Sequence, residues 1–81
     1  MKVTVKLFAV LKEISGRDEI VFELPGEMSC EEILLRLQAE FPTLDSILKL
    51  CWVAVNGKYA DRAMDVSAGD EVAVLPPVSG G

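Results

Sequence analysis

One amphipathic helix lies between two groups of alternating, strand-like segments, and this order restricts the fold more than any other feature of the sequence. The helix follows SCEE, in which Ser29 can cap the helix start while Glu32 reaches back to complete a capping box. Apolar residues then recur at helical spacing along one stripe, which consists of Ile33, Leu34, Leu37 and Phe41. Pro42 ends the helix. A helix with one apolar stripe packs one of its faces, and the flanking segments must supply the surface that it covers.

The flanking segments are predicted to be strands because apolar and polar residues alternate along them. MKVTVKLF and EIVFEL show this pattern and are predicted to pair in antiparallel orientation, with AVLKEISG between them as a turn or short helix closed by Gly16. Beyond the helix, TLDSILKL predicts another short turn or helix, and CWVAV is apolar on both faces, which is typical of a strand in the middle of a sheet. Asn56 and Gly57 predict a hairpin turn, followed by a weak strand and by the final strand EVAVL. Trp52, within CWVAV, is therefore expected in the core.

Two strands, a helix and further strands make an α+β order in which one main helix covers one face of a mixed sheet. Packing the helix onto that sheet gives a β-grasp fold, and we expect it to span residues 1–75, with a C-terminal Gly-Gly tail over residues 76–81. In a β-grasp fold the first and last strands pair in parallel. Phe8 and Leu75 are then outward-facing apolar neighbours, which indicates an interface patch that Tyr59 could extend.

Composition excludes several classes of function. Hydrophobic residues make up 51% of the chain and charged residues 26%, which favours one folded domain, and the net charge of −5 disfavours nucleic acid as a partner. The sequence has no histidine, so the usual zinc spacings and the commonest general base are both missing, and neither a metal site nor an autonomous hydrolase is expected. Cys30 and Cys51 are interpreted as buried, unreactive thiols, although the first turn of the helix could lower the pKa of Cys30. No segment resembles a membrane span or a signal peptide, so we expect a cytoplasmic protein.

The last seven residues, LPPVSGG, form a tail suited to entering another protein. Pro76 and Pro77 have no backbone N–H, so they end the sheet ladder and continue as a stiff, extended spacer. Gly80 and Gly81 have no Cβ and can pass through a channel too narrow for side chains. Six residues beyond the last strand reach about 20 Å when extended. The tail thus predicts delivery of a terminal carboxylate into a partner's active site, through the residues Pro76, Pro77, Val78, Ser79, Gly80 and Gly81.

Three motifs of the chain, KLFAVLKEISG, VAVNGK and GDEVAVLPPVSGG, resemble the small, sulfur-carrier subunits of molybdopterin synthases, within the ubiquitin-like sulfur-carrier family. The resemblance implies that the Gly81 carboxylate is adenylated with ATP and converted to a thiocarboxylate. It then donates sulfur to a cyclic pyranopterin monophosphate, which forms the dithiolene of molybdopterin in molybdenum cofactor biosynthesis. Such a subunit binds no cofactor and is not an enzyme by itself, because the catalytic pocket is on the large subunit.

The resemblance also implies the partners: the large subunit of a heterotetrameric synthase, a ubiquitin-activating-like adenylating enzyme, and a sulfur donor such as a rhodanese-like protein or a cysteine desulfurase. Nucleic acid and membranes are not among them. The candidate interface residues are Phe8, Leu75, Tyr59, Lys12 and Lys58, of which the two lysines either contact a partner or are simply solvated. Three alternatives stay open: a sulfur carrier for thiamine or tRNA thiolation, a ubiquitin-like protein modifier, and a β-grasp binding module whose Gly-Gly has no role.

Overall fold

The computed structural model describes residues 1–77 and confirms a mixed sheet with one main helix across it. The strands are β1 Lys2–Leu7, β2 Glu19–Glu23, β3 Met28–Ser29, β4 Trp52–Val55, β5 Lys58–Tyr59, β6 Asp65–Val66 and β7 Glu71–Leu75. The helices are α1 Val10–Ser15, α2 Cys30–Glu40 and α3 Asp45–Leu48, with a 3-10 turn at Pro42–Leu44. Within residues 1–77, none of these helices is long and apolar enough to cross a bilayer.

The five-stranded sheet has the order β2-β1-β7-β4-β5, with the first and last strands of the chain side by side at its centre. β1 is antiparallel to β2 and parallel to β7, with Val5 opposite Val72, as the sequence predicts for a β-grasp fold. β3 and β6 form a separate two-stranded sheet that the sequence analysis did not predict. Each of these two strands has two residues, which is too short for alternation to be visible in the sequence.

The core lies between α2 and the face of the sheet formed by the inward residues of each strand. Ile33 and Leu37 of α2 are fully buried. The predicted capping box is also present. The Ser29 hydroxyl accepts a hydrogen bond from the N–H of Glu32 at 3.2 Å, and the Glu32 carboxylate accepts one from the N–H of Ser29 at 3.2 Å. The inward residues of the sheet that complete the core are Val3, Val5, Leu7, Ile20, Phe22, Val53, Val55, Val72 and Val74. The helix stripe and the alternation of the strands were therefore interpreted correctly.

The prediction that Trp52 lies in the core is wrong, because its side chain is 62% exposed. The register places Trp52 opposite Leu75, and both alternate with the core residues Val53 and Val74. Trp52 therefore lies on the face of the sheet opposite α2. The apolar pattern of CWVAV suggested cover on both faces, whereas within residues 1–77 the main helix covers one of them.

The hairpin turn after β4 is confirmed, with positive φ values of 50° at Asn56 and 83° at Gly57. Asn56 also links this turn to the start of β7. Its side-chain N–H donates to the Asp70 carboxylate at 2.9 Å, and its side-chain oxygen accepts from the N–H of Glu71 at 3.0 Å. The second oxygen of Asp70 accepts from the N–H of Ser67 at 2.8 Å, so Asp70 stabilises the turn that precedes β7.

These hydrogen bonds predict a specific loss of stability in acid. The N–H of Ser67 and the side-chain amide of Asn56 hold the pKa of Asp70 below its ordinary value of 3.8. A carboxylate with a lower pKa in the folded chain stabilises the fold above its unfolded pKa, and this contribution is lost as the pH falls through the folded pKa. We therefore expect the free energy of unfolding of Asp70→Asn to fall less than that of the wild type below pH 3.8 in urea titrations.

Asn56→Gly is the matched variant for this prediction, because glycine keeps the positive φ and removes one of the two donors. It should show an intermediate dependence of stability on pH. Identical acid profiles for the wild type and both variants would contradict the role given to Asp70.

Candidate partner-docking site

The sheet face opposite α2 changes from charged to apolar along its length. Near the start of β7 it carries Lys6 and Glu71, whose side chains form an ion pair at 3.6 Å. Near the end of β7, Leu75 lies opposite Trp52, and Tyr59 lies opposite Ala54 on the same face of the sheet. The apolar end is the one from which the tail leaves the sheet.

A groove runs along this apolar end and includes the first residues of the tail. Its lining residues, called here the docking groove, are Ala9, Val10, Trp52, Tyr59, Leu75, Pro76 and Pro77. Leu75 is the last residue of β7, and the two prolines follow it outside the ladder, as predicted from their missing N–H groups. The predicted tail residues Val78, Ser79, Gly80 and Gly81 lie outside the described residues.

Two aromatic rings form one wall of the docking groove. The ring centroids of Trp52 and Tyr59 are 6.2 Å apart in an edge-to-face arrangement with an interplanar angle of 67°. Both side chains are largely exposed, Trp52 by 62% and Tyr59 by 78%. The fold therefore gains little from burying them, and most of their apolar surface is available to another molecule.

The opposite wall comes from the tight turn between β1 and α1. The N–H of Leu11 donates to the carbonyl of Phe8 at 3.1 Å, and Ala9 within this turn adopts φ 51° and ψ −125°. Glycine adopts this conformation readily, whereas alanine there costs about 1–3 kcal/mol. The turn presents Ala9 and Val10 to the docking groove.

Phe8 and Leu75 directly follow the paired residues Leu7 and Val74, but they line different depressions. Phe8 is 42% exposed, as its outward position predicted, but it lines a neighbouring depression together with Lys6 and Lys12. Leu75 is half-buried and lines the docking groove with Tyr59. Phe8 and Leu75 thus belong to two adjacent depressions, and Ala9 lines both of them.

The two candidate lysines are both exposed, but they lie on different sides of the sheet. Lys12 is in α1, next to Phe8 in the neighbouring depression. Lys58 pairs with Val55, a core residue, and therefore alternates with Tyr59 to the α2 side of the sheet. The register thus separates Lys58 from the docking groove, and its role at an interface stays a prediction.

Arg62 holds the segment that leads into Trp52, and the sequence analysis did not single it out. Its Nη2 donates to the carbonyls of Leu48 at 2.7 Å, Lys49 at 3.3 Å and Cys51 at 3.1 Å, and its Nη1 donates to the Glu31 carboxylate at 3.1 Å. A planar guanidinium suits this set of acceptors better than a lysine would. Nothing local in the sequence indicates these contacts, because the acceptors are up to 31 residues away.

The cysteines are buried free thiols, as predicted. Burial raises the pKa of Cys30 above its ordinary value of 9.0, and the carboxylates of Asp61 and Asp65 raise it further against the opposing effect of a backbone hydrogen bond. Burial also raises the pKa of Cys51, and the Arg62 guanidinium opposes that change. Neither thiol is set up as a nucleophile, so the expected effect of the helix start on Cys30 does not dominate.

The comparisons with known proteins agree with this fold. Residues 5–81 match the model of the ThiS family. The chain belongs to this family. As a ThiS-family protein it is 42% identical to the molybdopterin synthase sulfur carrier subunit of Chlamydomonas reinhardtii, over 100% of both chains. It is 41% identical to the corresponding subunit of Dictyostelium discoideum, over 93% of this chain and 91% of that one.

Solved structures confirm the ubiquitin-like β-grasp fold of this ThiS-family chain. SAMP1 from Haloferax volcanii, a small archaeal modifier protein, superposes with a TM-score of 0.89 at 31% identity and covers 100% of both chains. A chain in the complex of subunits 1 and 2 of molybdopterin-converting factor from Helicobacter pylori superposes with a TM-score of 0.71 at 26% identity, again over 100% of both chains. The chain is thus similar both to sulfur carrier subunits and to a protein modifier.

Proposed function

We propose that this ThiS-family chain is the sulfur carrier subunit of a molybdopterin synthase and that its reactive group is the carboxylate of Gly81. The observation that carries the proposal is the 42% identity to a molybdopterin synthase sulfur carrier subunit over 100% of both chains. The lack of histidine and the buried thiols agree with a protein that contributes a terminus rather than catalytic side chains.

The proposed chemistry has three steps. The Gly81 carboxylate attacks the α-phosphorus of ATP on an adenylating enzyme, which releases pyrophosphate and leaves an acyl-adenylate. The outer sulfur of a persulfide on a sulfur-donor protein, of rhodanese-like or cysteine desulfurase type, then displaces AMP to form an acyl disulfide. A thiol of the donor system attacks the donor's sulfur in it, which releases the thiocarboxylate and leaves a disulfide on the donor system. The thiocarboxylate finally gives its sulfur to a cyclic pyranopterin monophosphate in the large subunit. We place these steps in the cytoplasm.

The short length of the chain after Pro77 supports the docking groove as the surface that these partners cover. The four residues after Pro77 span at most about 14 Å when fully extended. An enzyme that acts on Gly81 must therefore approach the groove that Pro76 and Pro77 line. The exposed rings of Trp52 and Tyr59 and the half-buried Leu75 offer it the kind of apolar anchors that dominate binding energies.

A second candidate function is that of a protein modifier, in which Gly81 is joined to an amine of a target protein. SAMP1 from Haloferax volcanii supports it, with its TM-score of 0.89 and identity of 31%. Carriers for thiamine or tRNA thiolation share the same activation chemistry. All of these functions need an activated Gly81, and they differ in the acceptor.

Intact mass spectrometry tests the proposal directly. The purified chain is incubated with a cognate adenylating enzyme, ATP and a sulfur donor, and we expect a mass gain equal to one sulfur replacing one oxygen. The thiocarboxylated product is then mixed with the large subunit and the cyclic pyranopterin monophosphate, where formation of a dithiolene supports the molybdopterin function. Activation without dithiolene formation, together with joining to lysine amines, would support the modifier instead. No mass gain would leave the β-grasp binding module as the remaining alternative.

The buried cysteines make a separate prediction for this assay. Cys30→Ala and Cys51→Ala should both accept and donate sulfur like the wild type, because neither thiol is exposed or ionised. Removing part of a buried side chain should lower the free energy of unfolding by about 1–2 kcal/mol. Loss of donation by a folded Cys30→Ala protein, with its melting transition intact, would show that sulfur travels through the thiol rather than through Gly81.

A further inference from the structure

We propose that Trp52, braced by Tyr59, is a positioning residue that fixes the direction in which Pro76 and Pro77 leave the sheet. Its consequence for sulfur transfer rests on the proposed function, whereas the position of the prolines does not. The inference starts from the register. Trp52 is the first residue of β4 and lies opposite Leu75, the last residue of β7, so the chain that follows Leu75 leaves the ladder beside the indole.

Pro76 needs side-chain contacts because it cannot use the ladder. Pro76 has no N–H with which to continue the pairing of β7 to β4. It is nevertheless half-buried, although it lies outside the strand. The groove that Pro76 lines is also lined by Trp52 and Tyr59 on one wall and by Ala9 and Val10 on the other, so these side chains are the candidates for this cover.

The aromatic wall suits this task. Grooves lined by aromatic residues bind proline-rich segments in many recognition domains, because a proline segment is stiff before it binds. Here the proline segment and the aromatic wall belong to one chain. The edge-to-face contact between Trp52 and Tyr59, with centroids 6.2 Å apart, restrains the indole that faces the chain exit. Both rings remain more than half exposed, so core packing does not explain why two aromatic residues occur here.

A fixed exit direction has a consequence for catalysis. A stiff spacer that leaves the sheet in one direction restricts the volume that the terminus explores. Less ordering is then required when the tail enters the pocket of the large subunit, and the thiocarboxylate reaches the reactive position more often. Trp52 would act through the prolines and would not touch the reacting atoms.

The first test uses the free protein and needs no partner. Protons of the half-buried Pro76 that lie against the indole should show upfield ring-current shifts in the wild-type NMR spectrum. Trp52→Leu keeps an apolar side chain without the aromatic ring, and it should abolish these shifts while the amide spectrum of α2 stays unchanged. Val21→Ala is the control, because Val21 is 57% exposed on the edge strand β2, away from the docking groove, and this variant should keep the shifts. Equal proline shifts in the wild type and Trp52→Leu would overturn the proposal.

The second test separates positioning from docking. Thiocarboxylated wild type, Trp52→Leu and Val21→Ala are each mixed with saturating large subunit and acceptor, and a single turnover of sulfur transfer is followed. We expect the saturated rate of Trp52→Leu to fall about tenfold, because a misplaced reacting group slows the step even when the complex is fully formed. A wild-type rate for Trp52→Leu at saturation would overturn the positioning role. Failure of the wild type to donate sulfur would instead count against the proposed function, and the proline shifts would still decide the position of the tail.

Discussion

Deletion of Gly81 is expected to abolish sulfur donation and to leave the free energy of unfolding unchanged. The core lies between α2 and the sheet, and among residues 1–77 every core residue precedes Pro76, so we expect the fold not to depend on the last glycine. The proposed reactive group, by contrast, is the carboxylate of Gly81 itself. Without this residue the terminal carboxylate belongs to Gly80 and falls short of the reactive position by about 3.5 Å, the length of one extended residue. Transfer to the acceptor is measured by single turnover, and unfolding is measured in urea.

Gly81→Ala is the matched variant for this deletion, because it keeps the length of the tail and adds one methyl group. We expect it to slow sulfur donation without abolishing it, since the methyl must enter a channel suited to a residue that has no Cβ. Sulfur donation by the deleted chain at the wild-type rate would contradict the role of Gly81. An unfolding transition that shifts on deletion would mean that the tail also stabilises the fold.

The elements of the fold that the sequence predicted are those encoded by local patterns. Ser29 and Glu32 lie three residues apart, and this spacing predicts the start of α2. The positive φ values at Asn56 and Gly57 agree with the hairpin turn that the dipeptide Asn-Gly predicts. β3 and β6 could not be found in this way. They are held together by pairs such as Met28 and Val66, which are distant in the sequence and form a ladder too short to carry a pattern.

Local sequence patterns also predicted only part of the docking groove. Leu75 was identified because alternation gives the face on which a strand residue lies, whereas the strand of Tyr59 is too short for alternation to give its face. Trp52 was assigned to the core because an apolar run does not tell which face of a sheet a helix covers. The conformation of Ala9, with φ 51°, has no signal in the sequence, because glycine would be the expected residue there. Tertiary structure alone brings Ala9 and Trp52 to opposite walls of one groove.

Trp52→Ala is expected to weaken association with the large subunit by about 2 kcal/mol or more, because exposed tryptophans that become buried at an interface are common hot spots. The melting temperature of the isolated chain should change little. Because Trp52 is 62% exposed, removing the indole should lower the free energy of unfolding only slightly.

Leu75→Ala should weaken association by about 1 kcal/mol, because a smaller, half-buried side chain has less area left for the partner to cover. Phe8→Ala should also weaken it, by at least about 1 kcal/mol, if the partner extends over the neighbouring depression.

Calorimetric titration of each variant with purified large subunit measures these differences, and Val21→Ala on the far edge strand is the control that should bind like the wild type. The comparison of Trp52 with Phe8 locates the centre of the interface. A larger loss for Trp52→Ala places the centre in the docking groove, beside the prolines that lead to Gly81. A larger loss for Phe8→Ala would move it to the depression with Lys6 and Lys12, and unchanged affinity in all three variants would mean that the partner reaches the tail from another side of the sheet.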